Sequence, residues 1–387
     1  MTENNHYSLH IIIAAIVTIG VVGLVLGLGT PLVSIIMDKK GFSPSIIGYN
    51  ATVGGIATII AATCTSKIAL KLGVVKSILL MMTIGALSFL GFYFIQSIYV
   101  WFILRFVLHF AMTIMFILSE FWVNYSAPSK HRGLVLSLYA LSLGIGFAGG
   151  PTILSLFGSE GFTPFAVVCV LILIAMLPYL FSIKLSPKFH EHKQVPFIKY
   201  IFAIPSSNMA VFICGALQVS ALTLIVPFSK GIGYLNDNDG MIFTTVLSLG
   251  YVLLLMPIGM ISDRVKDRRY ALLTCAVVGF IGVALVPLIY QSKWLLGINL
   301  FILGGVSAGL YIIALAQLGA RYKTTELAAA NSAFIFCYGM GMLIGPTLIG
   351  QAMDLFPPFG FSYTIMIFLL IYIILVVSML ILRLFRS

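Results

Sequence analysis

Three ionisable side chains fall within one apolar stretch, residues 99–120: Arg105, His109 and Glu120. Read as an α-helix at about 100° per residue, positions 105 and 109 share a face, and 120 lies about 20° off it and ~16 Å further along the axis. One stripe thus carries a permanent cation, an imidazole and a carboxylate. The guanidinium keeps its proton and can hold an anionic group or lower a neighbour's proton affinity. The imidazole titrates near physiological pH. His109 is therefore either a proton carrier or a neutral, hydrogen-bonded packing residue, and a second positive charge beside Arg105 is disfavoured. Glu120 ends the stripe, where it either pairs with Lys71, Lys76 or Arg132 or carries the proton itself.

The setting of this stripe follows from composition. Hydrophobic residues make up 60% of the 387 residues and charged residues only 9%, against roughly 25% charged in a soluble domain. A chain this long and apolar needs lipid as its solvent. Twelve apolar spans can be placed, near 11–36, 46–65, 74–95, 99–120, 134–157, 163–183, 204–228, 241–261, 270–290, 294–317, 329–352 and 362–382. Each reaches the ~20 residues that a helix needs to cross the hydrocarbon core. A closed barrel is excluded, because its strands would be ~10 residues long with alternating polarity. Ionisable groups inside such spans point by default to function, facing the bundle interior or a water-filled cavity.

Lysine and arginine orient the spans. With both termini cytoplasmic, 17 of the 22 basic residues fall in inside loops, and four (Lys39, Lys40, Lys230 and Lys293) fall outside. This asymmetry places both termini in the cytoplasm of a multi-pass inner-membrane protein. The first span, without a basic n-region, reads as a retained helix. The net charge of +11 sits in these loops, with no basic face for nucleic acid.

The chain repeats itself. Gly73 closes a basic loop, and Lys266 holds the matching place in another, 193 residues later; Gly146–Pro151 and Gly341–Pro346 are both Gly-x-x-x-Gly-Pro runs, 195 residues apart. The reading is two six-helix bundles, 1–183 and 200–387, joined by a cytoplasmic linker, 184–199. A duplicated apolar chain places a substrate site between its halves. One chain holds both halves, so a monomer suffices. In the linker, His190 and His192 form one pair without further ligands, too little for a metal site. The five cysteines lie in five different spans and read as packing residues.

The loop Gly259 to Arg269 carries mechanical information. Gly259 is expected to permit close helix approach, and Asp263 to meet the N-terminus of a neighbouring helix. Arg264, Arg268 and Arg269 either pair with acids, latching an inner gate, or merely obey the positive-inside rule. The first-half copy keeps Lys71 and Gly73 but has Leu70 where Asp263 stands. Gly146, Gly150 and Pro151, with Gly341, Gly345 and Pro346, make strips for close helix packing, or a hinge or tight seal near the outer side. Asp38 and Asp354 fall near outer helix ends and are expected to be solvated. The uncharged cavity candidates are Tyr139, Gln218, Tyr251, Ser307, Tyr311 and Tyr338; tyrosine offers an apolar face with a hydroxyl, which suits an organic ligand.

These residues resemble the major facilitator superfamily along the whole chain. Gly259–Arg269 resembles its signature loop between the second and third helix of each half. Arg105 resembles its span-4 arginine motif, with His109 where glycine is usual. Gly146–Pro151 resembles the span-5 run of proton antiporters. Phe102–Arg105, Glu120, Arg132-Gly133, Tyr139 and Tyr338–Pro346 are similar to the YcaD-type bacterial subgroup. The resemblance implies an all-α, twelve-helix rocker-switch transporter. No Walker loop, hydrolytic triad or metal-ligand spacing is present. The expectation is a secondary transporter of a small organic solute, without cofactor or enzymatic activity, working by proton-coupled efflux. Nutrient import by symport or uniport is the alternative, and a non-transporting receptor a more distant one.

Overall fold

The computed structural model describes residues 3–126, 132–181, 198–322 and 324–384. They form thirteen helices: α1 (Glu3–Lys39), α2 (Pro44–Leu72), α3 (Val74–Phe94), α4 (Ile98–Ser126), α5 (Arg132–Phe157), α6 (Thr163–Phe181), α7 (Ile198–Ala203), α8 (Pro205–Gly231), α9 (Asp237–Asp263), α10 (Arg268–Ile289), α11 (Lys293–Arg321), α12 (Thr324–Leu355) and α13 (Gly360–Leu384). Among the described residues, twelve are long and apolar enough to cross a membrane. They match the twelve spans read from the sequence. The six-residue α7, ahead of the seventh span, was not foreseen, and linker residues 184–197, with His190 and His192, lie outside the described residues.

Short polar signals set the helix ends. Asn236 caps α9 by accepting from Asn238 N at 3.0 Å, Asp267 caps α10 by accepting from Arg269 N at 3.0 Å, and Pro205 opens α8 without needing a donor. Gly73 alone separates α2 from α3, at φ 81°, a backbone that glycine adopts without strain.

The helices sort into two compact units, Met1–Val33 with Ile56–His192, and Ser34–Gly55 with Lys193–Ser387. In the first, α1 lies on α5 so closely that a Cβ on Gly146 would come within 2.2 Å of Gly20 O, and one on Gly150 within 2.3 Å of Gly27 C. Ser142 Oγ donates to Ile16 O at 2.8 Å across the same seam. Rings tie α3 to its neighbours: Phe92 meets Trp101 of α4 edge-on at 5.8 Å, and Phe89 meets Phe165 of α6 at 5.3 Å.

The second unit uses the same device twice. On α8 against α12, Cβ atoms at Gly341 and Gly345 would stand 1.9 Å from Phe212 O and 2.6 Å from Ala216 Cα. On α9 against α11, a Cβ at Gly250 would stand 2.0 Å from Phe301 O. In lipid, where apolar side chains gain little by leaving solvent, such close backbone contact is a main source of helix association. The packing half of the expectation for Gly146, Gly150, Gly341 and Gly345 is thus what the structure displays. Gly149 and Gly259 differ. Nothing lies within 4 Å of a Cβ on Gly149, and a Cβ on Gly259 would make ordinary contact with Ile312 at 3.6 Å. Close approach at Gly259, expected from the sequence, is therefore not what that glycine provides.

Candidate functional site

The first unit holds the charged stripe. Arg105 is 1% exposed and His109 5% exposed, one turn apart on α4. Nε and Nη1 of Arg105 and Nε2 of His109 are buried without a hydrogen-bond partner. Below them, Thr113 Oγ1 donates to His109 O at 2.8 Å and shares a 3.1 Å hydrogen bond with Thr58 of α2. The α2–α4 contact therefore fixes the backbone carrying the imidazole. Leaving a polar group dry and unpaired costs roughly 2–7 kcal/mol by transfer measurements, and a charge far more. Arg105 and His109 carry three such atoms within one turn of α4. Glu120, at the far end of the stripe, is exposed. Tyr139 of α5 is buried and occupied: its hydroxyl shares a hydrogen bond with Ser119 Oγ at 2.9 Å and reaches Phe116 O at 3.3 Å. It packs α5 onto α4.

The second unit holds the other five uncharged candidates, and it brings them together. Tyr338 of α12 donates to Gln218 Oε1 of α8 at 2.7 Å. The Tyr338 ring meets Tyr311 of α11 edge-on at 6.3 Å, and Tyr311 meets Phe334 at 5.6 Å. Ser307 of α11 donates to Cys214 Sγ of α8 at 3.4 Å. Tyr251 of α9 lies within electrostatic reach of Cys214, Tyr311 and Tyr338. Five residues on four helices thus form one array of rings, hydroxyls and an amide. The close α8–α12 crossing builds it, since a Cβ on Gly215 would come within 2.3 Å of Tyr338 O.

Each end of the second unit carries ionic contacts. In the 259–269 loop, Asp263 pairs with Arg268 Nη2 at 2.9 Å, and Arg268 Nη1 donates to Ala316 O of α11 at 3.3 Å. The sequence reading had Arg264, Arg268 and Arg269 either pair with acids or merely obey the positive-inside rule. Arg264 is exposed and makes no ion pair among the described residues. The arginine that opens α10 pairs with Asp263, whereas Arg264, next to Asp263 in the chain, does not. Lys71 is likewise exposed.

At the opposite end lies a network that sequence reasoning missed. Lys230 at the end of α8 bridges Asp38 of α1 at 2.5 Å and Asp237 of α9 at 2.7 Å, and Asp237 also holds Lys39 at 2.9 Å. Lys293 pairs with Asp239. Beside it, the outer half of α2 is stitched to α12. Ser45 N donates to Asp354 at 3.0 Å, Gln351 Nε2 to Tyr49 OH at 2.8 Å, and Thr52 Oγ1 to Leu343 O at 2.9 Å. A Cβ on Gly48 would come within 2.2 Å of Pro346 O. Asp38, expected to be solvated, is half-buried and engaged, whereas Asp354 is exposed as expected and also accepts from Ser45. The available signal was that three of the four lysines at this end have an aspartate at a neighbouring helix terminus.

Comparison with known proteins gives the arrangement its family. The sequence description of the Major Facilitator Superfamily matches residues 13–236 and again 235–387. The chain is 25% identical over 356 residues to the uncharacterized MFS-type transporter YfkF of Bacillus subtilis, covering 90% of each chain. It is 26% identical over 299 residues, 76% of each chain, to the uncharacterized MFS-type transporter YcaD of Escherichia fergusonii. Among solved structures, it superimposes on a singly substituted form of the nucleoside transporter NupG with a TM-score of 0.77, covering 96% of this chain and 99% of that one at 14% identity. Against NupG itself the TM-score is 0.70. A twofold match to one family along a chain of twelve membrane-length helices leaves one conclusion: this is a multi-pass membrane protein of the major facilitator superfamily, a transport protein rather than an enzyme, built as two six-helix bundles.

Proposed function

We propose that the protein is a proton-coupled secondary transporter that exports a small organic solute by alternating access, with both termini in the cytoplasm. The observation that carries this is the pair Arg105 and His109, buried in a membrane-spanning helix one turn apart with three unpartnered nitrogens. In this reading Arg105 meets an anionic group of the solute or biases the neighbouring proton site. His109 takes and releases the proton, with Glu120 as the other carrier. Gln218, Tyr251, Ser307, Tyr311 and Tyr338 supply the face that recognises the organic part. Alternating access needs two gates. The Lys230 network and the α2–α12 seam support an outer one, and the Asp263–Arg268 loop supports an inner one. The export direction rests on the resemblance of Gly146–Pro151 to the span-5 run of proton antiporters.

A second reading, uptake, has its own support. Edge-on tyrosines beside a glutamine amide suit a planar, hydrogen-bonding solute, and one structural relative is a nucleoside transporter. The test is proton flux in liposomes holding the purified protein under an imposed pH gradient, with pooled solutes. Solute-driven proton movement opposite to solute flux establishes antiport; movement in the same direction establishes import by symport. Solute uptake without proton movement removes the proton roles of His109 and Glu120. Coupling retained in His109→Gln assigns the proton to Glu120 instead.

A further inference from the structure

A pocket of about 640 Å³ opens where α10 begins, between the ends of α11 and α13. Lys266, Arg268 and Arg269 line it together with Gln317, and Met379 and Leu382 of α13 form its apolar wall. Its charge is only partly committed, since Arg268 holds Asp263 at 2.9 Å and Ala316 O at 3.3 Å. Lys266 is exposed and makes no ion pair among the described residues. Nε of Arg269 is 3.8 Å from Asp267 Oδ1, beyond hydrogen-bond reach, and Nε of both Arg268 and Arg269 is buried without a partner. Asp267, the acid at the rim, already uses Oδ1 to cap α10. Gln317 Oε1 accepts from Ser207 at 2.9 Å, so its amide N–H donors remain for a ligand.

Planar guanidinium donors beside an ammonium match the oxygens of a phosphate. The other wall decides where that phosphate comes from. Leu382 is 58% exposed. It lies one turn from Met379 on α13, which from Ile365 to Leu382 is apolar save for Tyr372 and Ser378, so the wall runs on into the surface that faces hydrocarbon. A water-soluble phosphate has no use for that wall, whereas acyl chains do. Basic pockets between membrane helices at the polar boundary hold anionic headgroups by this combination. We infer that this pocket binds an anionic phospholipid, its phosphate between Lys266, Arg268 and Arg269 and its chains along Met379 and Leu382. The inference is independent of the transported solute and of the proton site.

The test is native mass spectrometry of the full-length protein with phosphatidylglycerol or phosphatidylcholine added in detergent. The wild type is expected to retain phosphatidylglycerol better, and K266Q/R269Q to lose about 30-fold of that preference, from the contribution each cation makes near an anionic lipid. Equal retention of the two lipids by the wild type, or an unchanged preference in the double variant, overturns the assignment. Inorganic phosphate, titrated while thermal unfolding is followed, is expected to have no effect. Stabilisation by phosphate that K266Q/R269Q abolishes would mean a soluble ligand and would also overturn it. Should the double variant fail to fold, Leu382→Glu sets a carboxylate in the apolar wall and is expected to expel phosphatidylglycerol; retention as in the wild type counts against the lipid.

Discussion

The two units solve different problems with their buried polar groups. On α4 of the first, Arg105 and His109 are dry and partly unpaired. In the second, the Gln218 carbonyl oxygen has Tyr338, and Ser307 has Cys214. An unpaired buried charge is unstable on its own and responds strongly to any ion, proton or ligand that reaches it. A satisfied array of rings and amides is insensitive to charge and discriminates by shape. In the proposed function this contrast becomes a division of labour, with energy coupling assigned to one unit and recognition to the other.

The largest effect that could break this division is at Arg105. Arg105→Ala is expected to lower solute flux in liposomes about 100-fold, the loss of charge-assisted hydrogen bonds to a ligand, and Arg105→Lys to restore part of it. Full flux with intact proton coupling in the alanine variant would remove the charged stripe from the mechanism. Next come the glycine seams within each unit. Gly341→Ala is expected to destabilise the protein by about 1–3 kcal/mol through overpacking against Phe212, visible as a lower melting temperature, whereas Gly149→Ala and Gly259→Ala leave it unchanged. Equal losses at all three would mean that the seam is not what glycine serves.

A smaller effect sharpens the recognition side. Tyr338→Phe removes the hydrogen bond to Gln218, worth about 1 kcal/mol. It is expected to raise KM for solute about 5-fold while the proton-to-solute ratio stays fixed; a changed ratio would place coupling in the second unit too. The smallest effects compare the two ends. Lys230→Gln breaks two ion pairs of a partly shielded network, and Arg268→Gln breaks one exposed pair, each pair being worth about 0–1 kcal/mol. Maleimide labelling of a cysteine placed at position 49 is expected to accelerate a few-fold in the first and hardly at all in the second. The reverse order would rank the Asp263–Arg268 loop above the Lys230 network.

Much of this was legible in the sequence because lipid simplifies the rules. A span must be long and apolar, so twelve were countable, and the paired glycine runs marked spans 5 and 11 for close packing without naming their partners, α1 and α8. Arg105 and His109 stood out because charge in a membrane span has few bland explanations. The ion network was not legible. Asp38 and Lys230 are 192 positions apart, and a pair of surface charges leaves no periodicity behind. Asp354 is exposed, as read, but its bond to Ser45, 309 positions away, was illegible for the same reason. Tyr139 could not be told from the other tyrosines, since only the position of Ser119 shows that its hydroxyl is taken. Gly259 misled because a glycine in a familiar loop carries no sign of whether a Cβ would collide.

Trp101, already met in the ring contact with Phe92, has a use of its own. It is buried one turn before Arg105 on α4, with its indole N–H held by Ile95 O at 2.5 Å. Trp122 is buried on the same helix, and the third tryptophan, Trp294, is exposed. Replacing Trp294 with phenylalanine would leave two dry indoles on the helix that carries the charged stripe. Indole emission shifts in a local electric field, so the arrival of a proton or an anion would register as a change of colour. The helix comes with a built-in voltmeter, readable in the unlabelled protein on the time scale of mixing.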